Sequence, residues 1–250
     1  KGHSVRATGH DGREREYRWD ETVFWNVYYV KGAFLDSDKA FEVLSGMRTA
    51  ELRLLAKCIN TIVLARCLAA HPMINVHCNA VEGHPNAPLR ESLMRLGLPA
   101  PLFTIDFEGS ARQPEKLTRE QMKRLFDGLE PAFGLQVSLG QTNTVVLCPA
   151  LTSHSELDDV ALTRAGITPT TVRISVGDED PRYLLDHLRL AAENAVGSEM
   201  PGFLEHFPTP SRVAAVYREV YVDTHRRWAE ALAATQEVDP PGAANKAAAQ

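Results

Sequence analysis

Between Asp38 and about Ala70 the apolar residues Phe41, Leu44, Met47, Leu52, Leu55, Ile59, Ile62 and Val63 recur at helical spacings. Asp36 and Ser37 stand just ahead of them as capping chemistry, so the pattern predicts one long helix, or two joined near Gly46. His71-Pro72 stops it. From there the period shortens to two: Ile74 to Cys78 and Leu102 to Phe107 alternate as strands, with Gly109 ending the second, and Thr144 to Ala150 continues as a buried strand. Leu135 to Gly140 also alternates, with Leu135, Val137 and Leu139 on one face and Gln136, Ser138 and Gly140 on the other. Thr118 caps a covering helix through Met122, Leu125, Phe126 and Leu129. Thr209-Pro210 opens another, with Val213, Val216, Tyr217, Val220, Tyr221, Trp228 and Leu232 along one side and Arg226 and Arg227 near its end, against the negative pole of the dipole. Thr8 to Arg18 is polar and reads as an exposed turn or short hairpin, and Phe24 to Val30 is aromatic and β-branched. Asp239 to Gln250, rich in Ala, Pro and Gly, reads as a disordered tail.

The stretch from Thr170 to Pro181 departs from plain patterning. At strand period it places Val172, Ile174 and Val176 on a core face and Thr171, Arg173, Ser175 and Gly177 on the other. An arginine within such a strand calls for an anion, because an unpaired buried ion costs several kcal/mol, and its planar fork suits a carboxylate or phosphate. Asp180 and Pro181 then start a helix through Tyr183, Leu184, Leu185 and Leu188. The acidic run Asp178, Glu179, Asp180 therefore reads as capping rather than as metal binding.

Composition narrows the class. The 250 residues are 44% hydrophobic, enough for one large or two small globular domains. A net charge of -5 argues against a dedicated nucleic-acid binder, and no apolar run approaches the roughly 20 residues of a membrane helix. Cys58, Cys67, Cys78 and Cys148 share no C-x-x-C spacing and sit in apolar surroundings, so buried reduced thiols and a cytoplasmic home are expected. His71, His77 and His84 read as turn and surface residues, without metal-ligand spacing. The chain starts at Lys1 with no methionine or signal-peptide pattern, so a further segment upstream is expected.

The run Ala165 to Pro181, with its Val-Arg-Ile-Ser-Val-Gly core, resembles the C-terminal signature of the Cys/Met-metabolism family of pyridoxal-phosphate (PLP) enzymes. Further segments resemble family segments in the same order, among them Gly2-His3-Ser4, Leu44 to Leu54 at the hinge into the C-terminal domain, the Gly83-His84-Pro85 turn with its short helix, and Ser138-Leu139-Gly140. The resemblance spans about Lys1 to Glu193. It implies an α/β fold of the PLP-dependent transferase type (fold type I). Residues 1–45 would end the PLP-binding large domain, 46–193 would form the small C-terminal α/β domain, 194–238 a helical extension for packing or subunit contact, and 239–250 the tail.

The resemblance also implies site residues. The family arginine at the position of Arg173 holds the substrate α-carboxylate, and Ser138 and Leu139 line the same pocket. Thr152 lies in Leu151 to Ser155, which resembles the family's Ala-Ser-Met-Thr-His-Ser loop, though Thr152 and Ser153 replace the usual Met-Thr order. Gly2, His3 and Ser4 follow the Schiff-base lysine and touch the cofactor. That lysine is expected three residues upstream of Lys1, with Lys1 itself a weaker candidate, and Val5 stands where the family usually has Asp. The implied function is PLP-dependent γ-elimination or γ-replacement on a sulfur amino acid, an O-acyl-homoserine or a related γ-substituted amino acid, by a lyase or transferase assembled as a homodimer or tetramer. Leu139 favours the γ-acting members, because the β-lyases often carry tryptophan there. The alternatives are a specialised lyase with a non-sulfur leaving group and a non-catalytic carboxylate-binding partner chain.

Overall fold

The computed structural model describes residues 4–18, 23–110 and 113–236. Lys1, Gly2, His3 and the tail 239–250 lie outside the described residues. The chain divides into two compact units, Lys1–Glu51 and Leu52–Gln250.

In the first unit, strands β1 (Ser4–Thr8) and β2 (Glu14–Arg18) pair antiparallel, with Ser4 opposite Arg18 and Thr8 opposite Glu14. The turn between them closes through Gly9 N–H to the Arg13 carbonyl at 2.9 Å. The aromatic run Val23–Tyr29 forms a π-helical segment, and helix α1 (Ser37–Arg48) follows, capped by the Asp36 carboxylate on the Lys39 N–H at 2.8 Å. None of the described residues of this unit is buried, although it carries Phe24, Trp25, Tyr29, Phe41 and Met47. Of the two readings of the long periodic segment, two helices is the one found. The break falls at Thr49 rather than at Gly46, which stays inside α1, and helix α2 (Ala50–Ala69) begins beyond it.

The second unit is a five-stranded sheet in the order β3-β4-β7-β6-β5. Its strands are β3 (Asn75–His77), β4 (Leu102–Asp106), β5 (Gly134–Leu135), β6 (Val145–Leu147) and β7 (Val172–Ser175). All neighbouring pairs are antiparallel except β5 with β6. The apolar positions of the central strands, Phe103, Ile105, Val146, Val172 and Ile174, face one side and are buried. Three helices cover that side: α2 through Leu64 and Leu68, α4 (Arg119–Asp127) through Met122 and Leu125, and α6 (Pro181–Val196) through Leu184, Leu185 and Leu188. Each such side chain contributes roughly 1.5–3 kcal/mol by leaving water, so this face holds the unit together.

Short helices α3 (Ala87–Leu93), α5 (Asp159–Arg164) and α7 (Pro201–Glu205) fill the connections. The capping readings hold: Thr118 and Gln121 form a reciprocal box at the start of α4, and Asp180 accepts the Arg182 N–H at the start of α6. Helix α8 (Pro210–Gln236) buries Val213, Val216 and Val220, while Tyr221 and Leu232 of the predicted stripe are exposed. Arg226 and Arg227 do not face its C-terminal pole, because the helix runs on to Gln236. They pair instead along it, Arg226 with Asp223 and Glu230, and Arg227 with Asp223.

Two further expectations change. Leu135 to Gly140 is not a strand beyond Leu135: it turns away as a loop, and Val137 and Leu139 stand in solvent instead of forming an apolar face. His71 is not a surface residue. The chain folds back at Pro72 and buries its ring against Phe203 and Phe207, with Nε2–H donating to the Phe203 carbonyl at 2.8 Å and Nδ1 accepting from Met73 N–H at 3.2 Å. With both nitrogens used, the neutral ring fits and a second proton does not. Burial pulls its pKa down to about 4, against a smaller opposing effect of the Phe203 carbonyl.

Candidate functional site

Strand β7 puts Val172 and Ile174 into the core and so turns Arg173 to the opposite face. The register sets its neighbours there: Thr104 on β4 and Leu147 on β6. The side chain is half-buried. Nη2 donates to the Ser138 carbonyl oxygen at 3.1 Å, and Nε is buried with no hydrogen-bond partner among the described residues. Burial holds the guanidinium below its usual pKa, since no carboxylate among the described residues offsets the lost hydration. A planar five-donor fork with one bond made, and with no carboxylate partner among the described residues, is ready for a carboxylate, which would accept two charge-assisted bonds.

The loop that carries Ser138 is held from several sides. Lys57, buried on α2, donates Nζ to the carbonyls of Gly140 at 3.1 Å and Gln141 at 2.5 Å. Gly140 N–H donates to the Ser175 hydroxyl at 3.2 Å, which ties the loop back to the strand of Arg173. Gly140 has φ +79°, a left-handed conformation that a side chain would resist. The Ser138 hydroxyl accepts from the Gln141 amide at 3.0 Å. Ser138 thus meets Arg173 through its backbone carbonyl, and its hydroxyl serves the loop.

Beyond β7 the same loop is locked to the start of α6. Asp178 N–H donates to the Thr142 carbonyl at 2.8 Å, and Asn60 of α2 donates to the carbonyls of Gly177 at 3.1 Å and Glu179 at 2.7 Å. The acidic run divides its labour: Asp180 caps α6 as expected, whereas the Glu179 carboxylate takes the Thr144 N–H at 2.5 Å and the Thr144 hydroxyl at 2.9 Å. Gly177 allows this close approach, since a Cβ there would lie 2.3 Å from the Thr142 carbonyl oxygen.

The fold therefore brings Arg173 and Ser138 together, with Leu139 next in the loop and exposed. Thr152 is exposed beyond β6 and donates its hydroxyl to the Cys148 carbonyl at 2.9 Å. Ser4 stands exposed on β1 of the first unit. Lys57, Asn60 and Glu179 had not been singled out as functional. Their signal was Lys57 and Asn60 inside an otherwise apolar helical run, where polar groups must have partners.

A polar pair lies further along the Arg173 face. Register aligns His77, Thr104 and Arg173 across β3, β4 and β7, and His77 Nε2 bonds Asp106 at 2.6 Å. That bond raises the imidazole pKa against burial. Burial pushes the Asp106 carboxyl up, but hydrogen bonds from His77, Asn75 and the Glu108 N–H outweigh it and hold it low. All four cysteines are buried free thiols, with Cys58 and Cys67 pushed by burial to about 11. Among the described residues no cluster could hold a metal ion, and no helix is long and apolar enough to cross a membrane.

Comparison with known proteins gives this geometry its context. The family profile of the Cys/Met metabolism PLP-dependent enzymes matches residues 2–193. The L-methionine gamma-lyase of Fusobacterium nucleatum subsp. polymorphum is 30% identical over 175 residues, covering 70% of this chain and 42% of that protein. The O-acetyl-L-homoserine sulfhydrylase of Leptospira meyeri is 28% identical over 164 residues, covering 65% and 35%. The crystal structure of a cystathione gamma lyase from Micromonospora echinospora superposes with a TM-score of 0.55 at 29% identity, covering 67% of this chain and 41% of that one. The matched part thus spans less than half the length of these relatives, and over it the fold is the mixed α/β fold of type I PLP enzymes. The Arg173 strand, the Ser138 loop and the sheet that carries them all fall within the profile match, and the chain belongs to the Cys/Met metabolism PLP-dependent enzyme family.

Proposed function

We propose that this chain supplies the substrate-carboxylate half of a PLP-dependent lyase or transferase that performs γ-elimination or γ-replacement on a γ-substituted amino acid. The observation that carries the reading is Arg173: half-buried, bonded once to the Ser138 carbonyl, and with Nε unanswered among the described residues. The relatives named as a methionine gamma-lyase and an O-acetylhomoserine sulfhydrylase support the γ-acting chemistry.

The residues fit the substrate side of a PLP site, since an under-bonded arginine in a partly dry setting matches an amino-acid carboxylate rather than a neutral group. Gly2 and His3, proposed for the cofactor side, lie outside the described residues, and Ser4 is the described member of that trio. When bound, the cofactor supplies an electron sink for charge developing at the substrate α-carbon.

Arg173 contributes binding and orientation. Two charge-assisted bonds, each worth roughly 1.5–3 kcal/mol, fix the carboxylate and thereby the direction of the remaining α-carbon bonds, a proximity effect. The Ser138 carbonyl keeps the fork in plane, and Lys57 keeps that carbonyl's loop in place. Leu139, exposed beside Ser138, provides an apolar contact for the side chain of the substrate, and Thr152, exposed beyond β6, is a further substrate contact in this reading. The enzyme works as a homo-oligomer, a reading supported by the exposed Phe24, Trp25, Tyr29 and Phe41 of a unit with no buried residue among those described.

The test is the visible absorption of the complete protein with PLP, before and after borohydride, followed by peptide mapping. A chromophore that borohydride fixes to a lysine just upstream of the Gly2-His3-Ser4 run supports the enzyme. Protein that stays colourless with added cofactor reduces the chain to a carboxylate-binding module.

A further inference from the structure

Helix α8 lies beyond residue 193, where the family match stops, and it builds a second groove that the Arg173 site does not use. One wall is aliphatic: Leu52, Leu55 and Ile59 on α2, at helical spacing. The facing wall is aromatic: Tyr217, Tyr221 and His225, one turn apart on α8, with ring centroids separated by 6.0 Å and then 4.0 Å. The space between them is about 360 Å3, within the size of small-molecule pockets and too small for a helix.

The lining of the groove also includes three acids, Asp178, Glu179 and Asp180. The exposed Asp178 carboxylate accepts no hydrogen bond among the described residues, and Glu179 is answered only by the neutral N–H and hydroxyl of Thr144. Asp180 is neutralised by Arg182. The chain already uses the ladder for a cation, since Arg182 places its guanidinium 5.3 Å from the centre of the Tyr217 ring. Tyr221 and His225 continue the ladder past that point, on the groove side.

We propose that this groove binds a linear aliphatic amine, its methylene chain lying between the Leu55–Ile59 wall and Tyr221 and its ammonium group at Asp178. The assignment follows from complementarity. An apolar slot takes the chain, aromatic faces attract a cation by their quadrupole, and one carboxylate lacks a partner. A neutral chain would gain nothing from Asp178, and a bare metal ion would gain nothing from the aliphatic wall.

The experiment is calorimetric titration of the full chain with spermidine at physiological ionic strength, with octanediol as the uncharged probe of similar length. Spermidine is expected to bind saturably with one molecule per chain, and octanediol is expected not to bind. Asp178→Asn and Tyr221→Leu, each checked for an unchanged unfolding midpoint, should each weaken spermidine about two- to fivefold, the factor expected for losing an exposed ion pair or cation–π contact. Equal affinity in either variant, equal binding of octanediol, or several spermidine molecules per chain would overturn the site. The last result would mean counterion exchange with a chain of net charge -5.

Discussion

Arg173 reaches the backbone of Ser138, 35 residues earlier in the chain, with Nη2 at 3.1 Å from the carbonyl oxygen, and leaves Nε buried and unanswered among the described residues. One bond holds the fork in place without satisfying it. Replacing Arg173 by lysine keeps the charge and removes the fork. For the complete enzyme, KM for the amino-acid substrate should rise about 10- to 100-fold, the loss of one charge-assisted bond. Steady-state kinetics with cofactor binding monitored in parallel is the check, and unchanged cofactor affinity is part of the expectation.

Lys57 should act on substrate only through the loop. Lys57→Met leaves the Gly140 and Gln141 carbonyls without their buried donor, a loss of about 1–3 kcal/mol each where they stay dry. Urea unfolding should show a lower midpoint, and the variant should bind substrate more weakly. A wild-type midpoint would mean that water replaces the ammonium without cost.

Two glycines in this region are expected to differ in their tolerance of alanine. At Gly140 only the dihedral opposes it, since nothing lies within 4 Å of the added Cβ, and the cost should be about 1–2 kcal/mol. At Gly177 the Cβ would meet the Thr142 oxygen at 2.3 Å and the Asn143 carbonyl carbon at 2.5 Å, so the backbone must move. Gly177→Ala should therefore be the more destabilising of the two, by an overpacking cost of about 1–3 kcal/mol or more. Denaturation midpoints of both variants decide the order.

His71 predicts a pH dependence of stability. Its pKa is near 6.5 when unfolded and about 4 when folded, so between those values the unfolded chain binds more protons. The contribution is complete above the unfolded pKa and is lost as pH falls through the window towards about 4, by roughly 3 kcal/mol over the whole interval. His77 has the opposite sign: its folded pKa is raised by Asp106, so what it adds is present below its unfolded pKa and lost as pH rises through the folded one. Unfolding free energies measured across the acid range should fall with pH in the wild type, and the part of that slope due to His71 should vanish in His71→Gln.

The sequence pattern carried the core well because burial and periodicity are coupled. Val172 and Ile174 could point only one way, which left Arg173 the other, and Asp180-Pro181 could only begin a helix. Ser138 was legible as a partner of Arg173, but not the means of contact, because backbone carbonyl direction in a loop leaves no mark in side-chain alternation. The same blindness made Leu135 to Gly140 look like a strand, since two exposed apolar residues of a loop mimic an alternating face. His71 was misjudged because a histidine beside proline reads as a turn, and only the distant Phe203 carbonyl makes it a buried residue. Lys57 and Glu179 act across 83 and 35 residues, to Gly140 and Thr144, and no local pattern records such a pairing.

The central claim, that Arg173 holds the substrate carboxylate, is tested most directly by a cycle that removes each partner in turn. The complete enzyme and its Arg173→Ala variant would be assayed with an amino-acid substrate and with the carboxamide of that substrate. The wild type should lose about 100-fold or more in kcat/KM on going from acid to amide, and the variant should treat the two nearly alike, since the ion pair is already gone. If the variant still prefers the acid by the wild-type factor, the carboxylate is held elsewhere and the account of Arg173 is wrong.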